Sequence, residues 1–80
     1  MPSEMEGARA FRTQVGCYAG SRHHEEPRWV EIDGARCPVR DVESRWREPD
    51  RDGWRVALED GRRLILYYFV DMDLWSAVEL

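Results

Sequence analysis

The stretch Arg62–Val70, RRLILYYFV, constrains this chain more than any other. Leu64, Leu66, Tyr68 and Val70 share one period-2 register, and Ile65, Tyr67 and Phe69 share the other. A strand apolar on both faces is poorly placed with one side in water, so it reads as a central strand. One face should meet a core, and something has to lie on the other.

With 80 residues the chain makes one domain, small enough that core burial and chain entropy nearly cancel. It is 42% hydrophobic and 35% charged, with four Trp. That is the composition of a folded chain rather than a disordered one. The formal net charge of −4 argues against a strongly basic nucleic-acid-binding protein. All 12 basic residues are Arg, a bias that a GC-rich coding sequence explains as well as any selection for guanidinium chemistry. The acidic N-terminus lacks the apolar core of a secretory signal. No apolar run reaches the roughly 18–20 residues that span a membrane. A cytoplasmic protein with free thiols at Cys17 and Cys37 is expected.

Residues 1–10 read as a flexible tail and residues 11–80 as a single β-domain. A first strand is expected over 12–18, with Val15 and Cys17 inward, followed by a polar loop over 20–27. Next comes Arg28–Ile32, closed by Asp33-Gly34, a dipeptide suited to the two positive φ angles of a type I′ hairpin. That loop pairs Ile32 with Ala35 and Val30 with Cys37.

A long third strand, 35–47, changes phase after Val39, which predicts a β-bulge at Arg40-Asp41. Residues 48–53 read as a turn, which would set Trp46 opposite Trp54, Ser44 opposite Val56 and Val42 opposite Leu58. The second Asp-Gly, Asp60-Gly61, leaves two registers open. A two-residue loop pairs Val56 with Ile65 and Trp54 with Tyr67. A three-residue loop, preferred because it turns Arg63 away from the core, pairs Val56 with Leu64 and Trp54 with Leu66. After a turn at 70–73 the last strand covers 74–80. About six short strands in an antiparallel meander, closing into a small, partly open barrel, are the expected all-β fold.

Several segments in order resemble a family of small bacterial proteins of unknown function. They are Tyr18-Ala19-Gly20, Glu25-Glu26-Pro27-Arg28, the Asp33-Gly34 hairpin, Arg45-Trp46-Arg47-Glu48-Pro49-Asp50, Trp54-Arg55-Val56, and Asp60-Gly61-Arg62 with Leu64, Leu66, Tyr67 and Trp75. The pattern is distantly similar to a C-terminal module of inactive Y-family polymerase homologues. The resemblance implies a bacterial origin and an all-β fold, and carries no activity with it. That family ends soon after the tryptophan, whereas this chain runs on through Val78 to Leu80, so a longer last strand is expected.

No catalytic motif stands out, and neither an enzymatic activity nor a cofactor is expected. His23, His24 and Glu26 are the weak candidates for a metal site, but they lack the paired spacing of zinc ligands and read better as a solvated loop. The more informative constellation is the outer face of the third to fifth strands, where Arg45, Arg55, Arg63, Ile65, Tyr67 and Phe69 are expected together. Arginine beside aromatic and apolar residues marks protein interfaces, and also the stacking platforms of single-stranded nucleic-acid binders. The acidic balance of the chain favours a protein partner or self-association, with nucleic acid as the alternative and no membrane. For Ile65 and Phe69 the favoured expectation is that the first or last strand curls over them as the barrel closes.

Overall fold

The computed structural model describes residues 9–17 and 26–80. They form β1 (Arg9–Thr13), β2 (Val15–Cys17), β3 (Pro27–Ile32), β4 (Ala35–Arg47), β5 (Arg51–Leu58), β6 (Arg63–Phe69) and β7 (Leu74–Glu79). No helix occurs among the described residues. The sheet order is β1-β7-β6-β5-β4-β3-β2, with every pairing antiparallel.

The fold is therefore the expected all-β, partly open barrel, with one more strand than the sequence suggests. The extra strand arises because the first extended segment is split at Gln14. Its first part pairs with β7 and its second with β3, so one stretch of chain supplies both edges of the sheet. The edges meet where the Glu31 amide donates to the Gln14 carbonyl at 2.9 Å and the Thr13 hydroxyl donates to the Glu31 carbonyl at 2.6 Å. Beyond this clasp the seam opens into a cleft of about 590 Å³ between β1 and the β3–β4 turn. β1 starts at Arg9, so Arg9 and Ala10 belong to the sheet and not to the expected tail.

The turn chemistry explains the register. Asp33 and Gly34 have φ of 53° and 82°, the left-handed pair that a type I′ turn requires. They pair Ile32 with Ala35 and Val30 with Cys37 as the sequence predicts. Gly61, at φ 98°, closes the three-residue loop: the Leu58 amide donates to the Arg62 carbonyl at 2.8 Å. Val56 then faces Leu64 and Trp54 faces Leu66, as expected. The bulge near Arg40-Asp41 is present, between Val39 and Asp41.

A second bulge, between Val42 and Ser44, is not legible from the sequence and changes the face of everything after it. Val42 meets Val56, Val39 meets Leu58, and Ser44 meets Arg55. Trp46 does not face Trp54. It lies opposite Gly53 on the outer face, and Arg45 takes the position across from Trp54. The turn is also tighter than expected, since β5 begins at Arg51. The Glu48 amide donates to the Arg51 carbonyl at 2.8 Å, leaving only Pro49 and Asp50 in the loop.

Val30, Trp54, Val56, Leu58, Leu64, Leu66 and Ala77 form the buried core, with Phe11, Val15, Ile32, Cys37, Val39 and Val42 packed around it. Trp75 stacks between Trp54 and Tyr68, with ring centroids at 5.1 and 5.0 Å. The inner register of β6 supplies two of the five largest fully buried side chains, Leu64 and Leu66. At roughly 25 cal/mol per Å² of apolar surface, such burial is the dominant stabilising term in so small a domain.

Candidate functional site

The outer face of β6 carries Arg63, Ile65, Tyr67 and Phe69, all partly or fully accessible. Neither terminal strand curls over it: β7 pairs beside β6, and β1 pairs beyond β7. The expected cover by a strand over Ile65 and Phe69 is therefore absent among the described residues. The β-bulge in β4 and the short β4–β5 turn bring side chains of this chain onto the face in its place.

The registers align three rows on this surface. Ser44, Arg55 and Ile65 form one, Trp46, Gly53 and Tyr67 the next, and Arg51 and Phe69 the third. Gly53 matters because a Cβ there would overlap the Trp46 indole. The ring lies across the bare backbone and reaches the neighbouring strand, meeting Tyr67 edge-on with centroids at 6.2 Å. Trp29 lies over Gly16 in the same way, with the Arg36 guanidinium 4.3 Å from its ring centroid.

Glu48 ties this cluster together. The Trp46 indole N–H donates to Glu48 Oε2 at 2.7 Å, and Arg51 Nε donates to Glu48 Oε1 at 2.9 Å. The Trp46 bond and then the Arg51 bond hold the Glu48 carboxyl below its ordinary value, because both favour the ionised form. The guanidinium carbon of Arg51 sits 4.0 Å from the Tyr67 ring centroid and 5.6 Å from that of Phe69. Arginine suits this position because its planar cation stacks on a ring while its edge still donates.

Glu43, the bulged residue, forms the second electrostatic knot. Arg55 Nε lies 3.3 Å from one of its oxygens and Arg63 Nε 3.1 Å from the other. Two of the expected site arginines thus share one carboxylate. Arg55, Arg63, Ile65, Tyr67 and Phe69 stand together on the outer face as predicted. Arg45 does not, because the second bulge puts it in the row of Trp54.

Arg51, Trp46 and Glu48 are the residues of this face that sequence reasoning missed. The available signal is the Pro49-Asp50 step: a two-residue loop there sets Trp46 opposite Gly53, a pairing a bulky aromatic can exploit. Of the candidate metal ligands, His23 and His24 lie outside the described residues, and Glu26 is exposed. Among the described residues no three potential ligands cluster, and no helix is long and apolar enough to cross a membrane. Cys37 is a free thiol that accepts from an Arg62 Nη at 3.5 Å.

Comparison with protein-family models, with curated proteins and with solved structures found no match.

Proposed function

We propose that this domain is a binding module that docks a protein partner, a second copy of itself included, on the outer face of β6. The observation that carries this reading is the cluster of Trp46, Tyr67 and Arg51, contiguous and partly accessible, beside Phe69. Tryptophan, tyrosine and arginine are the residue types enriched among interface hot spots. Their geometry is fixed before any partner arrives, by the close approach to Gly53 and by the two bonds to Glu48. Preorganisation of this kind lowers the ordering cost of association.

Nucleic acid is the weaker reading. The cations of this face are already engaged, Arg55 and Arg63 by Glu43 and Arg51 by Glu48, and the chain carries a net charge of −4. Free Cys37 fits a reducing, cytoplasmic setting.

Solution mass measured over a wide concentration range tests the self-association form of the reading. A dimer that grows with concentration and is lost in Tyr67→Ser supports it. A wild-type chain that stays monomeric at millimolar concentration eliminates it and leaves a different protein as the partner.

A further inference from the structure

We infer that the seam edge of β1 takes up an extended segment of a protein partner as an added strand. The segment is held by its backbone and carries one apolar side chain into the mouth of the barrel beside Phe11. This surface is separate from the docking face on β6, and the inference does not rest on that reading.

The direction of the backbone groups along β1 follows from bonds at both of its ends. The Leu80 amide donates to the Arg63 carbonyl at 3.0 Å, so Leu80, Val78 and Ser76 turn their backbone groups to β6. Glu79, Ala77 and Trp75 alternate with them and turn theirs to β1. Their partners Arg9, Phe11 and Thr13 therefore bond to β7, and Ala10 and Arg12 point their amides and carbonyls into the seam. The clasp gives the same parity independently. The Gln14 carbonyl, two residues beyond Arg12, accepts from Glu31 across the seam at 2.9 Å. Because β1 ends the sheet on this side, the Ala10 and Arg12 groups meet no strand among the described residues.

Those unpaired groups select the occupant, since an open strand edge pairs with another extended backbone whatever its sequence. The walls of the cleft carry both signs, Arg12 and Arg62 with Glu31, Asp33 and Glu79, so charge does not choose the segment. The room beside β1 is about 590 Å³, bounded on the far side by the β3–β4 turn. One strand lies between these walls, whereas a second barrel pairing through its own β1 would bring its β7 onto that turn. The chain's own residues 1–8 suit the edge poorly: a two-residue return over Gly7-Ala8 would set Glu4 opposite Phe11, a carboxylate toward the core. Phe11 faces inward in the row of Ala77 and Leu66, and it and Ile32 are only partly buried beside the cleft. The added residue opposite Phe11 is therefore apolar, and its neighbours, opposite Ala10 and Arg12, face outward.

Hydrogen exchange in the free full chain is the first test. The Phe11 and Thr13 amides should be protected by β7, and the Ala10 and Arg12 amides should exchange as exposed groups. Protection at Ala10 and Arg12 overturns the inference: if it survives dilution residues 1–8 hold the edge, and if dilution removes it a second copy does. The second test selects random heptapeptides by display on the immobilised full chain. Synthetic copies with blocked ends are then titrated into wild type, Arg12→Ala and Arg12→Pro, each shown to be folded by its amide spectrum. Proline at this position removes the seam-facing N–H and leaves the bonds to β7 in place. The expected result is binding that Arg12→Ala preserves and Arg12→Pro weakens by at least about tenfold, with shifts at the Ala10 and Arg12 amides. Should Arg12→Pro fail to fold, peptides N-methylated at alternate bonds give the same readout: one alternate set should lose binding, and indifference to both sets overturns the inference. Equal loss on Arg12→Ala, or no peptide selected, also overturns it. Shifts confined to Tyr67 and Phe69 overturn it as well and leave the β6 face as the docking surface.

Discussion

The Trp46 indole lies flat across Gly53, filling the space that any other residue's Cβ would need. This contact decides which way the β4–β5 hairpin presents its aromatic residue, and it carries Trp46 over to Tyr67. Replacing Gly53 with Ala forces the ring or the backbone to move. Overpacking of this kind costs about 1–3 kcal/mol, to be measured as a lower urea midpoint. The double variant Trp46→Ala/Gly53→Ala should be more stable than the two single effects predict, because the clash is gone. A coupling of about 0.5–3 kcal/mol is expected for residues in direct contact.

The two registers of β6 should respond very differently to truncation. Leu66 is fully buried against Trp54 and Ala77, so Leu66→Ala should cost about 2–5 kcal/mol. Tyr67, half-buried on the outer face, should cost about 1 kcal/mol as Tyr67→Ser. Equal losses at the two positions, read from denaturant midpoints, would contradict the assignment of faces.

Much of this architecture is legible because alternation and turn chemistry agree with one another. Asp33-Gly34 and the pattern around it specify the first hairpin. At Asp60-Gly61 a two-residue and a three-residue loop both pair apolar residues, because β6 is apolar on both faces, and the structure takes the three-residue loop. The bulge at Arg40-Asp41 shows as a slip in phase. The bulge at Glu43 leaves no such trace: Val42, Ser44 and Trp46 alternate in the sequence as though uninterrupted, and a tryptophan is at home on either face. Misplacing it exchanges Arg45 and Trp46, and so hides the Trp46–Glu48–Arg51 cluster. The split of the first strand at Gln14 is equally silent, because it depends on which two edges the closing sheet brings together.

Glu48 makes the outer cluster sensitive to acid. Its folded value lies below the ordinary 4.5, chiefly through Trp46 and then Arg51. Its stabilising contribution is complete above pH 4.5 and is lost as pH falls through the lowered value. Glu48→Gln should flatten the decline of the urea midpoint in that window while lowering stability near neutrality. Asp60, held below its ordinary 3.8 by Arg62, acts in the same direction at slightly lower pH, so some acid sensitivity should remain in the variant.

The clasp at the seam is the last point at which a single atom decides the architecture. The Thr13 hydroxyl donates to the Glu31 carbonyl at 2.6 Å, and one residue later the Gln14 carbonyl receives the Glu31 amide. Thr13→Val keeps the shape and the strand preference of the side chain and removes only the donor. The loss of one such bond is worth about 1 kcal/mol. Because the bond joins the two edges of the sheet, the effect should be local. Hydrogen exchange at the Glu31 amide should accelerate roughly fivefold, whereas the Leu58 amide, bonded to Arg62 inside the central hairpin, should exchange as in the wild type. Equal acceleration at both amides would mean that the seam does not open on its own and that the clasp stabilises the barrel as a whole.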